Sequence, residues 1–121
     1  MTAELDHTIV PAHDKQASAE FLAAILGVPV AGPAGPFVAV QVGHGVTLDY
    51  DDRWEVAPHH YAFFVDDDTF DAAYERLSAD GVTIYADPYH QQAGEMNHRR
   101  GGRGLYFSDP NGHNMEIFTR R

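Results

Sequence analysis

The chain has no cysteine, which excludes disulfides and any thiolate-held metal. No apolar run approaches the roughly 18 residues that a membrane-spanning helix requires. Basic residues are scarce: 8 Lys and Arg stand against 18 Asp and Glu, a formal net charge of −10. That balance argues against nucleic acid and anionic membrane as partners. There is one lysine, Lys15, and one tryptophan, Trp54. The opening Met1-Thr2-Ala3-Glu4-Leu5-Asp6 is acidic and lacks the basic and apolar regions of a signal peptide. A cytoplasmic protein is expected.

What is present suits a packed fold. The 121 residues are 44% hydrophobic, enough for one domain over 1–121 with a real core. Without thiols, a metal site has to be built from imidazole and carboxylate. The charge is unevenly spread: residues 1–90 hold 15 acids and 3 bases, and residues 91–121 hold 3 acids and 5 bases. Arg99, Arg100 and Arg103 crowd into one glycine-rich stretch, either a solvated basic loop or a flap that guides an anion to a site.

The order of elements repeats. Residues 5–10 read as a strand. Asp14 caps a helix over about 15–26, with Ala17, Phe21, Ala24 and Ile25 as its apolar stripe and Gly27 as its stop. Residues 28–30 form a short strand, a Gly/Pro-rich turn covers 32–36, and 37–42 with 46–50 make a hairpin around Gly43-His44-Gly45. The pattern then restarts with a strand over 60–65. Asp66-Asp67-Asp68 cap a helix over about 69–79, whose stripe is Phe70, Ala73, Tyr74 and Leu77. Gly81-Val82-Thr83-Ile84 echoes Gly27-Val28-Pro29-Val30. A long polar loop spans 87–102, and a last hairpin pairs 104–108 with 114–119 around Asp109-Pro110-Asn111-Gly112. An offset of 53 residues lays His7 on His60. Two halves result, about 1–55 and 56–121.

Alternation along the strands decides which side chains share a face. His7 and Ile9 point one way, Thr8 and Val10 the other. Val46, Leu48 and Tyr50 should meet a helix, leaving Thr47 and Asp49 opposite. Tyr61, Phe63 and Val65 form one row, and His60, Ala62 and Phe64 another. Met115 and Ile117 pack inward, turning Asn114, Glu116 and Phe118 outward. His7, His60, Glu116 and Asp49 can therefore all lie on faces away from the helices. Two histidines and a carboxylate on one side of a divalent metal leave positions open for substrate oxygens or dioxygen, and such an ion stabilises negative charge that develops on an oxygen. Alternation permits the cluster without requiring it. Read singly, each histidine is equally a hydrogen-bonded surface residue, Glu116 an edge charge, and Asp49 the start of the acidic turn Asp49-Tyr50-Asp51-Asp52.

Three segments carry a resemblance over the whole chain: Leu5-Asp6-His7-Thr8, His60-Tyr61-Ala62-Phe63, and the run from Gly104 through Asp109-Pro110-Asn111-Gly112-His113 to Glu116. The sequence resembles the vicinal oxygen chelate superfamily, which includes glyoxalase I, fosfomycin-resistance thiol transferases, extradiol dioxygenases and bleomycin-binding proteins. The resemblance implies an α+β fold of two βαβββ modules, each a mixed sheet curling into a cup with one main helix on its outer face. It implies His7, His60 and Glu116 as ligands of one divalent metal (Fe, Mn, Zn or Ni), with Asp49 near the place of a further ligand. It also implies a homodimer, with His7 and Asp49 from one subunit meeting His60 and Glu116 from the other. Tyr106 matches a tyrosine that the fosfomycin enzymes place near the metal. Ile9 stands where those enzymes have threonine, and Lys15 lies far from their lysine-bearing loop, so fosfomycin transfer is not expected.

The expected function is a metal-dependent dioxygenase-like or glyoxalase-like reaction on a small, possibly anionic substrate that chelates through adjacent oxygens. His98, in the long loop, and Tyr106 are the candidate catalytic groups, His98 as a general acid or base. Arg99, Arg100 and Arg103 are candidates for holding an anionic group, with Trp54 and Phe118 as aromatic contacts. The alternative is a non-catalytic protein that sequesters a drug or metabolite in an aromatic cleft formed by Trp54, Phe64, Tyr106 and Phe118.

Overall fold

The computed structural model describes residues 2–31 and 35–121; the part of the expected turn at 32–34 lies outside them. Ten elements follow in chain order: strand β1 (His7–Pro11), helix α1 (Lys15–Leu26), β2 (Val38–Gln41), a 3-10 turn (Gly43–Gly45), β3 (Thr47–Asp51), β4 (His60–Phe64), α2 (Asp67–Ala79), a second 3-10 turn (Arg99–Gly101), β5 (Gly104–Ser108) and β6 (Asn114–Phe118). The strands form two mixed sheets of three, in the orders β1-β3-β2 and β4-β6-β5. The fold is α+β with two repeated modules and no closed barrel.

Local chemistry sets both helices in the same way. The Asp14 carboxylate accepts from the Ala17 amide at 3.0 Å, and the Asp66 carboxylate from the Thr69 amide at 2.7 Å, each satisfying a donor the first turn leaves free. At the far end Gly27 (φ 69°) and Gly81 (φ 70°) take left-handed conformations that a side chain would disfavour. The next amides fold back, Val28 to the Ala23 carbonyl and Val82 to the Leu77 carbonyl. The apolar stripe of α1 is rotated from the expected one. Ala17 and Ala24 are exposed, while Ser18, Ala19, Leu22, Ala23, Ile25 and Leu26 are buried. The larger aliphatic side chains Leu22 and Leu26 decide which side faces inward. The Arg76 guanidinium of α2 donates to the Ala24 carbonyl of α1, a favourable place for a cation near a helix C-terminus.

The expected short strand at 28–30 is reduced to a single bridge between Val30 and Val40. Pro29 has no amide hydrogen to give a ladder. Its counterpart is likewise only Tyr85, which bridges Tyr106 and Ala93. Each module thus has three full strands where four were expected.

Buried apolar residues of both modules form one cluster, from Val10, Leu22 and Tyr50 to Phe70, Leu105, Phe107 and Ile117. Phe21 of the first module lies 6.1 Å from Phe107 of the second, centroid to centroid. β4 and β6 alternate as read from the sequence: Met115 and Ile117 are buried, whereas His60, Ala62 and Phe64 are exposed. β3 does not, since Asp49 and Asp51 are buried along with Leu48 and Tyr50. The exposed row makes an open face on the second sheet, away from the helices.

A candidate metal centre split between two modules

Strand register places the donors. In the parallel pair β4·β6, Glu116 sits opposite Ala62, two residues after His60. In the parallel pair β1·β3, Asp49 sits opposite Ile9, two residues after His7. The two modules therefore present a histidine and a carboxylate in the same register, on an exposed row in the second module and with the carboxylate buried in the first.

In the second module the pair is in contact: His60 Nε2 lies 3.0 Å from Glu116 Oε1. Two bonds of about 2.1 Å at a right angle set their donor atoms about 3.0 Å apart, so this spacing suits one small ion bound by both. The Tyr106 ring stands beside them, 5.8 Å from the His60 ring, on the strand position opposite Glu116. Its hydroxyl accepts from Arg99 Nη1 at 2.8 Å. Burial pushes the Tyr106 phenol up and the neighbouring Glu116 carboxylate adds to that, against the opposing pull of Arg99. The phenol therefore stays protonated near neutrality and can donate to an anion. Phe64 and Phe118 complete the row, with ring centroids 5.8 Å apart, and the Arg121 guanidinium covers Phe64 at 4.5 Å.

In the first module His7 is exposed, and its Nδ1 meets Asp6 Oδ2 at 2.7 Å. That hydrogen bond, then the charge of Asp6 and more weakly that of Asp49, raise the His7 pKa. Asp49 is buried. A pocket of about 390 Å³ is lined by His7, Ile9, Trp54 and His59, so Trp54 stands beside the histidine of this module.

Among the described residues, no three His, Asp or Glu side chains converge so as to hold a metal ion. One chain does not carry His7 to the His60–Glu116 pair, because β1 and β4 are edge strands of two different sheets. Within one chain the expected ligands therefore stand apart, His60 with Glu116 on one sheet and His7 with Asp49 on the other.

A family profile described as the glyoxalase/bleomycin resistance protein/dioxygenase superfamily matches residues 4–117. The chain belongs to this superfamily. Among solved structures it is similar to the oxidase ChaP-H2, at 56% identity over 100% of this chain and 96% of that one, with a TM-score of 0.96. The oxidase ChaP-H1 is 50% identical over 99% of this chain and 98% of that one, with a TM-score of 0.95. The glutathione transferase FosA of Serratia marcescens is 28% identical over 124 residues, 97% of this chain and 81% of that one. These superfamily relatives are enzymes. No helix among the described residues is long and apolar enough to cross a membrane.

Within this superfamily scaffold the arginine-rich stretch divides. Arg99 faces the pair through Tyr106. Arg103 is placed elsewhere: its guanidinium bonds Asp71 at 2.7 Å and Asp67 at 3.0 Å and lies 4.4 Å over Phe70. Those partners belong to α2, on the far side of the sheet from Glu116. Arg100 is exposed in the second 3-10 turn, with φ 55°. His98 precedes that turn and lines a hollow with Asp67, Gly102, Arg103 and Thr119. The structure does not gather His98, Arg100 or Arg103 with the His60–Glu116 pair.

Sequence reading passed over two sets of residues. One is His90, held over Asn114 on the open face (Nε2 to Oδ1, 2.8 Å). The other is the set of contacts made by the turn after β5, which the sequence marks as a tight turn and as part of the resemblance but without its partners. The Asp109 carboxylate accepts from the Asn111 and His113 amides, both at 2.8 Å. Asn111 Oδ1 accepts from the His13 amide at 2.8 Å, and Asn111 Nδ2 donates to Ser18 Oγ at 3.0 Å. The fully buried His113 accepts from the His59 amide at Nδ1 (3.0 Å) and donates from Nε2 to the Pro11 carbonyl (2.7 Å). This turn is a clasp between modules. The polar run Asn-Gly-His just before an apolar strand was its one visible signal.

Proposed function

We propose that the chain is a divalent-metal-dependent enzyme of the oxidase or dioxygenase type. Its substrate is a small molecule that chelates through adjacent oxygens. The observation that carries the reading is the His60–Glu116 contact at 3.0 Å, with Tyr106 and Arg99 beside it and a second His/carboxylate pair in equal register. The oxidase relatives favour oxygen chemistry over isomerisation. The metal, Fe or Mn ahead of Zn or Ni, would supply Lewis acidity and open positions for oxygen donors.

His60 and Glu116 would hold the ion from one chain, and His7, with Asp49 behind it, from a second copy. A homodimer would complete the site, with His7 of one copy joining the His60–Glu116 pair of the other. Tyr106 orients the substrate by donating a hydrogen bond, while Arg99 fixes that hydroxyl and adds positive charge for an anionic group. Phe64 and Phe118 offer aromatic surface for a planar substrate. The lack of cysteine suits a cytoplasmic setting.

The test is metal uptake followed by oxygen consumption. Protein purified without chelator and offered Fe(II), Mn(II), Ni(II) and Zn(II) should bind one ion per chain and sediment as a dimer. Both properties should be examined in His60→Ala and Glu116→Ala, which should lose the ion and keep the fold. A monomer in sedimentation would remove the shared site. A protein that takes no metal yet binds planar aromatic ligands would instead be a sequestering protein.

A further inference from the structure

The loop after α2 places one imidazole over the open face of the second module. Asp87 builds the turn that carries it: its carboxylate accepts from the amides of Tyr89 (3.2 Å), Gln91 (2.9 Å) and Gln92 (2.7 Å), and its carbonyl from the His90 amide at 3.2 Å. His90 itself sits at φ 57°, a left-handed conformation that a non-glycine residue adopts only where its surroundings hold it. The ring lies flat on Tyr85, with centroids 4.1 Å apart and planes 10° off parallel. Tyr85 is in turn fixed to Tyr106 by two backbone hydrogen bonds of 2.8 Å.

The hydrogen bonds fix the tautomer of the neutral ring. Asn114 Nδ2 lies 3.0 Å from the Pro88 carbonyl, which can only accept, so the amide nitrogen is the donor there. The amide oxygen then faces His90 Nε2 at 2.8 Å, and Nε2 must carry the hydrogen. Neutral His90 keeps its lone pair on Nδ1, and among the described residues no donor takes it. Asn114 sits directly opposite His60 in the β4·β6 register and two residues from Glu116, about 7 Å along a strand.

We infer that His90 is the proton acceptor for a hydroxyl of the substrate bound on this face. This rests on the metal-dependent reading above. When a catechol- or enol-type ligand settles between His60, Glu116 and Tyr106, its O–H bond breaks. The electron pair stays on the ligand oxygen and the proton goes to His90 Nδ1. The imidazolium is stabilised by the Tyr85 ring beneath it and by the Asn114 oxygen, which still accepts from Nε2. The proton leaves with the product or to water.

Two measurements test the proposal. In the metal-free protein, nitrogen-15 NMR of the imidazole should find the hydrogen on Nε2 of His90 and none on Nδ1. A hydrogen on Nδ1 overturns the proposal whatever the metal does. In the Mn(II)-loaded protein the probe is 4-nitrocatechol, followed by calorimetry in buffers of different ionisation enthalpy. Wild-type protein should retain the proton that His90→Gln releases to buffer, and His90→Gln should bind the probe about tenfold more weakly. Glutamine still reaches Asn114, so the loop stays in place, and Mn(II) affinity should be unchanged. Equal proton release and equal affinity in the two proteins overturn the role of His90 alone. A wild-type protein that takes no Mn(II) overturns the metal-dependent reading and this proposal with it.

Discussion

The two modules carry the same scaffold but different surroundings. Each sets a histidine at the start of its first strand and a carboxylate opposite the second residue after it. In the second module the position paired with the carboxylate is Tyr106 and in the first it is Ala39. The residue three before the carboxylate is His113 in one and Val46 in the other. The second module also has the longer passage from helix to hairpin. That passage crosses β5 at Gly104, where Asn97 pairs with it backbone to backbone and a Cβ would meet the Asn97 amide oxygen at 2.8 Å. The repeat thus accounts for the shared register, side-chain differences on the strands for Tyr106, and the longer passage for Arg99 and His90. Proton donors, cationic contacts and aromatic rows gather on the second module, while the first offers His7, Asp49 and Trp54.

The largest effect should come from breaking this asymmetry at the donors. Glu116→Ala removes a carboxylate already in contact with its histidine, so metal affinity should fall by more than about a hundredfold, the upper range for losing only a supporting residue. Asp49→Ala should cost less, about tenfold, because Asp49 is buried and acts on His7 only weakly, through its charge. Metal titration of both variants decides the matter. Equal losses would mean that the modules contribute equally and that Asp49 is a full ligand.

The clasp provides the next test. His113→Ala opens a cavity at a fully buried site and removes the ring partner of the His59 amide and the Pro11 carbonyl. A loss of about 2–5 kcal/mol is expected in denaturant unfolding. Val46→Ala at the matching position of the first module, half-exposed, should cost less than about 1.5 kcal/mol. Similar losses at the two positions would show that the clasp does not carry the contact between modules.

How much of this could be read from residues alone depends on the range of the interactions. Alternation is local, and it put Met115 and Ile117 inside and Glu116 outside without any coordinates. Caps are local too, so Asp14, Asp66 and Gly27 marked the helix ends. The short strand at 28–30 failed because a proline removes one ladder donor, and a lone bridge has no periodicity to detect. The rotated stripe of α1 failed because alanines satisfy either side of a helix, and packing against β2 and β3 chose. His90 was invisible since its placement depends on a left-handed turn organised by Asp87, three residues away, and on Asn114 in another strand. Arg103 had the composition of an anion grip, yet Asp67 and Asp71 on a helix far off in sequence claim it. The separation of His7 from His60 is topological: parity assigns faces but not which sheets share an edge.

The smallest expected effect concerns the caps, where the modules differ in charge. The first turn of α1 has no acidic residue, whereas that of α2 holds Asp67 and Asp68 behind the Asp66 cap. The hydrogen bonds from Thr69 hold the Asp66 carboxyl below its ordinary value of 3.8. A carboxylate whose pKa is depressed on folding stabilises the fold fully above its unfolded value, and that contribution is lost as pH falls through the folded value. Asp66→Asn keeps a capping oxygen but removes the charge beside the helix N-terminus. The difference in melting temperature between wild type and Asp66→Asn should therefore be constant from about pH 7 to pH 5 and shrink below about pH 4. A difference that stays the same down to pH 3 would mean that the hydrogen bond alone, and not the charge, sets the start of α2.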